Sequence, residues 1–133
     1  MPRAAKGGNM PVFTAPDGSQ VIINSATVVR VRKTLHGEAD DANSRIDSTR
    51  LNLVREQPAD AAAAIAAELP SLVQLTGGQN TPIWVNANKV EGPFPPRAER
   101  IEDGYRSHIV VLNRLQHVME SEEEVRELFA AVK

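Results

Sequence analysis

Arginine placement is the feature of this 133-residue sequence that most directly suggests chemistry. A long proline-containing segment in the second half carries Arg97, Arg100 and Arg106, with Tyr105 and His108 beside them. Guanidinium groups hold phosphate oxygens through paired hydrogen bonds, and aromatic rings stack on bases. These five residues form the predicted ligand site, and a small phosphorylated ligand fits their chemistry. The alternative interpretation is a solvated basic face that is balanced by nearby Asp and Glu.

A second group of basic residues lies in the first half of the chain. Arg30, Arg32 and Lys33 follow one another along a predicted strand, and further arginines surround the next strand, namely Arg45, Arg50 and Arg55. The chain as a whole has a net charge of −2 and only 4% aromatic residues. No general positive field or stacking platform is therefore predicted, which makes nucleic acid an unlikely partner.

The sequence lacks the residue patterns of common catalytic and metal centres. It contains no cysteine, which excludes thiolate nucleophiles, disulfides and cysteine-based zinc sites. The glycines of "LTGGQN" are not followed by the Lys-Ser/Thr of a phosphate-binding loop, so they predict a hairpin turn. Asp40 and Asp41 are interpreted as a solvated loop, Glu122–Glu124 as a helix start, and the histidines as surface residues. We predict a non-enzymatic protein without a cofactor or a metal.

The termini and one central loop carry little structural signal. Residues 1–10 show no hydrophobic periodicity and predict a disordered arm, and residues 36–44 predict a mobile loop. No apolar run is long enough to cross a membrane, and the basic residues of the arm are not followed by the apolar segment of a signal peptide. We therefore expect a soluble cytoplasmic protein.

Internal similarity is the strongest organising signal in the chain. "FTAPDGSQVIINSATVVRV" at 13–31 has the same layout as "LTGGQNTPIWVNANKVEGP" at 75–93, with Asn24 on Asn86 at a shift of 62 positions. The two segment ends match at a shift of 64: Val54 with Val118, Glu56 with Glu120, Ala61 with Val125, and Ile65 with Phe129. Matched ends around a loop of variable length are typical of a tandem duplication.

Each half reads as a β-meander followed by one helix. Asp17-Gly18 and Gly77-Gly78 predict hairpin turns because glycine tolerates positive φ, and one further strand is predicted over 46–54. Asn24 and Asn86, each ending an apolar strand, predict Asx turns. We predict an α+β fold in which two tandem β-meander-plus-helix repeats, at 11–70 and 71–133, pack as one pseudo-symmetric body.

The last helix has the clearest signal. Ser121 followed by Glu124 predicts a capping box, and an apolar stripe follows at helical spacing: Val125, Leu128, Phe129 and Val132. We predict that Leu128 and Phe129 are core residues packed on Val85 and Val110. In the first half, Pro58 and Asp60 predict a helix start, and Pro70 a helix end.

At "PIWVNANKV" and "IVVLNRLQHVMESEEEV" the chain resembles the small bacterial proteins of the flagellar FlbD type and similar short phage and plasmid proteins. The matching residues in the second half are Asn86, Val90, Val118, Glu120, Ser121, Glu123, Glu124 and Val125. Those in the first half are Asn24, Val28, Val54, Glu56 and Asp60. The resemblance implies single-unit, non-enzymatic interaction proteins, so a fused pair places in one chain what a homodimer does elsewhere.

The predicted function is a non-catalytic binding or adaptor module that acts through protein contacts and self-association. Open β-meanders present unpaired strand edges, which a partner strand can satisfy, so a homo-oligomer or a protein partner is expected. One face of Trp84's strand should be closed by the other half or by another chain, and we favour another chain in addition, which gives a homodimer or a larger closed ring. Two alternatives remain: a phosphorylated-nucleotide binder of phage or mobile-element type, and a monomer whose edges are blocked by basic residues on 28–35 and prolines at 93–96.

Overall fold

A computed structural model describes residues 10–35, 37–38 and 40–132. Its class is mixed α+β, with ten strands in three sheets and three helices in the described residues. The strands are β1 Val12–Thr14, β2 Gln20–Ile22, β3 Arg30–Lys33, β4 Ser44–Asp47, β5 Leu51–Val54, β6 Leu72–Thr76, β7 Pro82–Asn86, β8 Glu91–Phe94, β9 Ser107–Val111 and β10 Arg114–Val118. The helices are α1 Pro58–Ala66, α2 Ala98–Ile101 and α3 Glu122–Ala130. Apart from Met10, the predicted disordered arm lies outside the described residues.

A five-stranded antiparallel sheet joins the two parts of the chain. Its order is β5-β4-β3-β7-β6, and the junction is the pairing of β3 with β7, in which Arg30 lies opposite Val85 and Val31 opposite Trp84. The strand that carries Trp84 is therefore closed inside the chain by β3 and β6. Two smaller sheets accompany it, the β1–β2 hairpin and a three-stranded sheet of order β10-β9-β8.

The two faces of the five-stranded sheet build separate cores. One face packs against α1, with Val31, Ile46 and Ile65 fully buried in a cluster that also includes Phe13. The opposite face, at β6 and β7, packs against β9 and α3 around Val85 and other buried residues. Since the three-stranded sheet covers only the β6–β7 end of this second face, the same face of β3, β4 and β5 remains accessible.

The helix α3 has the predicted cap but a narrower buried stripe than predicted. Ser121 accepts a hydrogen bond from the Glu124 N–H, and the Glu124 side chain accepts one from the Ser121 N–H. Phe129 is buried, as predicted, but Leu128 is 39% exposed, so its placement in the core was wrong. The helix touches the sheets along the Val125–Phe129 line, and a residue 100° around the axis from that line faces solvent.

The predicted contact with Val110 was also wrong. Ile109 and Val111 are buried, whereas Val110 between them is only half-buried on the outer face of β9. Successive side chains of a strand point to opposite faces, so the prediction had the parity of this strand shifted by one residue.

The region predicted as one strand over 46–54 is a hairpin. β4 and β5 pair antiparallel, with Asp47 opposite Leu51, and a tight connection at 48–50 joins them. The Ser48 N–H donates to the Arg50 carbonyl, and Asn52 Nδ2 donates to the carbonyls of Ile46 and Arg50. The sequence does not indicate this hairpin because its turn, residues 48–50, contains no glycine and interrupts the predicted strand without a clear turn signal.

Glycines behave differently in the two predicted hairpin turns. Gly18 adopts a positive φ of 91° between β1 and β2, as predicted from Asp17-Gly18. Between β6 and β7 the positive φ values belong instead to Gln79 and Asn80, and Gly78 has another role. A Cβ at Gly78 would lie 2.6 Å from the Tyr105 hydroxyl, so this glycine makes room for a side chain.

Candidate ligand-binding cleft

The accessible part of the five-stranded sheet forms one wall of a cleft of about 1140 Å³. The β9–β10 hairpin and the segment before it form the opposite wall, and the β6–β7 turn forms the floor. Residues of the sheet wall are Arg30, Arg32, Lys33, Leu35, Arg45 and Leu51. Residues of the floor and the opposite wall are Gly77, Gly78, Gln79, Asn80, Thr81, Ile83, Asp103, Tyr105, Arg114, Leu115, Gln116 and Met119.

Strand alternation places the sheet-wall arginines on one face. Arg30 lies opposite Asp47, and Arg32 opposite Arg45, across the β3–β4 pair. Asp47 binds both of its neighbours at 2.9 Å, through Oδ2 to Arg30 and through Oδ1 to the Nε of Arg45. Because the Asp47 side chain is almost fully buried, both arginines are held in fixed positions.

Glu38 closes the network from the loop that follows β3. Its carboxylate lies 3.2 Å from Arg32 and from Arg45, and it accepts a hydrogen bond from the Leu35 N–H at 2.6 Å. Burial by itself raises the pKa of Glu38, but these hydrogen bonds and charges outweigh it and lower the pKa to about 2. The loop predicted to be mobile is thus tied to the sheet at Glu38, while His36 and Ala39 lie outside the described residues.

Arg30 links the two walls of the cleft. Its Nη1 donates to Gln116 Oε1 on β10 at 2.8 Å, while its Nε donates to Asp47 at 2.9 Å. Burial lowers the pKa of Arg30, and the charge and hydrogen bond of Asp47 oppose that effect. The contact fixes the distance between the sheet and the hairpin at one end of the cleft.

The cleft carries an excess of positive charge. Five cationic residues line it: Arg30, Arg32, Lys33, Arg45 and Arg114. Three carboxylates stand against them, those of Asp47, Glu38 and Asp103, and strand alternation turns the Lys33 side chain to the α1 face, which leaves one cation in excess. Among the described residues, Lys33 and Arg114 have no ion pair, and Arg114 is exposed at the mouth.

Tyr105 stands at the junction of floor and hairpin. Its ring makes an edge contact with His117, with centroids 5.6 Å apart, and its hydroxyl lies over Gly78. The half-buried ring offers a flat surface and a polar tip on the same wall as Arg114.

Of the five predicted site residues, Tyr105 alone lines the cleft. The arginines of the proline-containing segment pair with neighbouring carboxylates on the outer surface: Arg97 with Glu99 at 3.5 Å, Arg100 with Asp103 at 3.9 Å, and Arg106 with Glu124 at 3.3 Å. Each of these pairs is largely exposed to solvent. The arginines that line the cleft come from β3, β4 and β10 instead.

His108 belongs to a row of rings on the outer face of the three-stranded sheet. Its ring centroid lies 5.4 Å from that of Phe94 and 5.2 Å from that of His117. His108 Nδ1 lies 2.8 Å from the Pro95 carbonyl, and His117 Nε2 accepts a hydrogen bond from the Arg97 N–H. Burial lowers the pKa of His117, and the charges of His108 and Arg100 lower it further.

Only some of the cleft residues could be predicted from the sequence. The i, i+2 spacing of Arg30 and Arg32 indicates one face of a strand, and other basic residues lie near it in the sequence. The pairing that brings Arg114 from β10 to the same space depends on the β9–β10 hairpin, which turns at Leu112 and Asn113 with positive φ values. Such a long-range juxtaposition has no local sequence signature.

The described residues contain neither a cluster of metal ligands nor a membrane-spanning helix. Within 10–35, 37–38 and 40–132, no group of three or more His, Asp or Glu side chains is placed to hold a metal ion. Those residues also form no helix of the length and apolarity that crossing a membrane requires. Comparison with protein-family models, with curated proteins and with solved structures found no match to this chain.

Proposed function

We propose that this protein is a non-catalytic binding module whose cleft holds a small anionic ligand. The chemistry that fits is a phosphorylated molecule, such as a nucleotide. The observation that carries this proposal is the cationic excess of the cleft, with Arg114 unpaired among the described residues at its mouth. A guanidinium that no carboxylate neutralises can bind phosphate oxygens in a bidentate manner.

The paired arginines support the same ligand class. Arg32 and Arg45 are held in place by Glu38, and a guanidinium has five N–H groups, so each keeps donors beyond those its carboxylate partners accept. Arginines fixed before binding lose little side-chain entropy when a ligand arrives. Tyr105 adds a ring against which a base could stack.

The composition of the cleft favours binding over catalysis. Among the described residues, its lining contains no histidine, serine or cysteine that could act as a nucleophile or as a general base near neutral pH. The one carboxylic acid among the described lining residues is Asp103, a member of an exposed ion pair with Arg100. Among the described residues, no hydrogen bond or ion pair joins Asp103 to Lys33, Thr81 or Tyr105, so the lining contains no nucleophile–base pair.

We also propose that the two halves are copies of one unit. Thr14 donates through its N–H and hydroxyl to the carboxylate of Glu56, at 2.9 Å in each case. Thr76 makes the same two bonds with Glu120, at 2.9 and 2.8 Å. Two bidentate Thr–Glu contacts at shifts of 62 and 64 positions support a duplication.

Two further pairs of bonds follow the same relationship. Ser44 Oγ donates to the Glu56 carbonyl, and Ser107 Oγ donates to the Glu120 carbonyl at 2.7 Å. Asn24 Oδ1 accepts from the N–H two residues on at 3.1 Å, and Asn86 Oδ1 does so at 3.0 Å. The serines differ by 63 positions, so the extra residues of the second half divide between two loops.

A second function, contact with other protein chains, is favoured by apolar groups at strand edges. Ile22 is 59% exposed on β2, and Phe94 is 40% exposed on β8. Exposed apolar side chains beside unpaired strand backbone are typical of strand-addition surfaces.

Titration with pyrophosphate and with ATP tests the ligand proposal. At a concentration 100 times its dissociation constant, either compound should stabilise the fold by about 2.7 kcal/mol, visible as a higher melting temperature. Arg114→Gln should weaken binding about tenfold, since one charge-assisted contact is worth about 1–2 kcal/mol.

Arg126→Gln is the matched control. It removes the same charge from the exposed face of α3, where Arg126 pairs with Glu122 at 3.3 Å. We expect this variant to bind as the unmodified protein does. Equal losses in both variants, or no melting shift with millimolar pyrophosphate or ATP, would refute a site in the cleft.

A further inference from the structure

The pairing of β3 with β7 joins the two proposed copies through one strand from each. β7 in the second half corresponds to β2 in the first half, and β3 corresponds to β8, at a shift of 62 positions. Within the chain only one of the two equivalent pairings is made. Among the described residues, β2 pairs with β1 alone and β8 with β9 alone, so each has one open edge.

Asn86 shows how the closed junction is built. Its N–H donates to the Val29 carbonyl at 2.8 Å, and its side-chain Nδ2 donates to the Val28 carbonyl at 3.0 Å. Its Oδ1 accepts from Ser71 Oγ at 2.7 Å, and the residue is buried. This asparagine therefore ties β7 to the start of β3 by two bonds across the junction.

Asn24 occupies the corresponding place at the open edge. It makes the same turn through Oδ1, but neither its N–H nor its Nδ2 meets an acceptor among the described residues. The equivalent acceptors would be the carbonyls of Val90 and Glu91 at the start of β8. Within one chain the Asn24 donors and these two carbonyls do not bond to each other, because β2 and β8 are strands of different sheets.

We infer that a second copy of this chain completes the missing junction, with β8 of one molecule adding to β2 of the other. The inference rests on the proposed duplication. The β3–β7 register carried over places Ile22 opposite Pro93 and Ile23 opposite Gly92, where β8 departs from regular pairing with β9 between Glu91 and Phe94 and Gly92 has a φ of 113°. In a symmetric dimer, β8 of each molecule pairs with β2 of the other. The four units then form a closed ring in which the edges of β2 and β8 are both paired.

The residues on the edges of β2 and β8 fit a second copy of the chain as partner, and they also limit the affinity of the dimer. Ile22 and Phe94, both exposed in the single chain, would be covered at the junction, much as Trp84 is half-buried beside β3. Pro93 stands where β3 has Val31, and it has no N–H to donate. The ladder between chains is therefore shorter than the ladder within the chain, and we expect reversible association in the micromolar range.

Sedimentation across the micromolar range tests the inference, with Asn24→Asp as the diagnostic variant. Aspartate keeps the oxygen that forms the turn but removes the Nδ2 donor and adds a charge at the junction. The unmodified chain should pass from 14.5 kDa to twice that mass as concentration rises. The variant should associate about tenfold more weakly, while its melting temperature at low concentration stays the same.

Disulfide trapping gives the register, because the chain contains no cysteine of its own. An equimolar mixture of Ile22→Cys and Pro93→Cys proteins should form a disulfide-linked heterodimer, whereas Ile22→Cys mixed with Leu128→Cys should not. A 14.5 kDa species at every concentration would overturn the inference, and so would a dimer that neither Asn24→Asp weakens nor the first cysteine pair traps. Ligand binding by Arg114 is measured at low concentration, so failure of either proposal leaves the other standing.

Discussion

A face of the five-stranded sheet and a face of the three-stranded sheet carry opposite chemistry. On β3 and β4 the first of these faces holds Arg32 and Arg45, bound through Glu38 and Asp47 into one ion-pair network. On β8 and β9, 62 and 63 positions further along the chain, stand Phe94 and His108, whose rings lie 5.4 Å apart. The first face lines a cleft, whereas the second is an outer surface.

Residues that bond to backbone groups specify the scaffold, whereas residues on the accessible faces do not. The threonine–glutamate pairs, the strand-ending asparagines and the buried aliphatic residues have counterparts in both parts, because backbone groups in the same geometry need the same partners. Side chains on the accessible face satisfy no backbone group. One face can therefore become ionic and the other aromatic without altering the fold.

The largest effect is expected where each helix is anchored to its sheet. Phe129 of α3 and Ile65 of α1 are both buried between a helix and a sheet, so Phe129→Ala should cost about 3–5 kcal/mol and Ile65→Ala about 2–5 kcal/mol. Leu128→Ala, at a site that is 39% exposed, should cost well under half of that. Urea unfolding measures all three, and a Leu128 variant as unstable as the Phe129 variant would contradict the packing of α3.

The next largest loss of stability is expected at Asn86, in the β3–β7 junction, compared with Asn24 at the unpaired edge of β2. Asn86→Asp removes a donor to the Val28 carbonyl and buries a charge, so it should cost about 2–4 kcal/mol of folding stability. Asn24→Asp makes the same chemical change at an exposed site, where the turn-forming oxygen is kept, and should cost less than about 0.5 kcal/mol.

Thermal unfolding at low protein concentration makes this comparison without interference from association. If both asparagine variants lost the same stability, the two positions would be energetically equivalent in the single chain. The distinction between a closed junction and an open edge would then fail.

A smaller effect distinguishes the ionic face from the aromatic face in acid. The pKa of Glu38 lies at about 2, below its ordinary value of 4.5, so the carboxylate stabilises the fold above pH 4.5. That stability is lost as pH falls from about 4.5 towards 2, because the unfolded chain takes up the proton first. Glu38→Gln should lower stability at pH 7 by about 1–2 kcal/mol, since the pair is partly screened by solvent.

The pH dependence of folding stability, measured for the Glu38→Gln variant and the unmodified chain, tests this explanation. The Glu38→Gln variant should lose less stability than the unmodified chain between pH 4.5 and 2, the window in which the missing carboxylate would titrate. Parallel stability curves for the two proteins would show that Glu38 is not held by Arg32 and Arg45.

The sequence predicted the fold better than the site, and particular residues show why. The capping box at Ser121 and the turn at Gly18 depend on neighbours within a few positions, so local pattern sufficed. The hairpin within 44–54 was missed because its turn lacks glycine. The cleft was missed because Arg30 and Gln116 are 86 positions apart and meet only through the packing of two sheets. Local spacing carries no information about that contact.

The smallest effect concerns His117 on the aromatic face. Its Nε2 accepts the Arg97 N–H, which requires a neutral ring, and burial lowers the pKa of His117 below 6.5. A group whose pKa is lowered by folding adds stability above its unfolded pKa and loses it as pH falls through the folded value. The stability of the unmodified chain should therefore decline slightly as pH drops below about 6.5, and the segment around Arg97 should loosen with it.

His117→Gln should flatten that decline, because a glutamine oxygen accepts the same N–H without titrating. Proton NMR of the Arg97 amide reports the contact directly: its resonance should move with pH in the unmodified chain and stay fixed in the variant. An amide that moves equally in both proteins would show that His117 does not control this part of the surface.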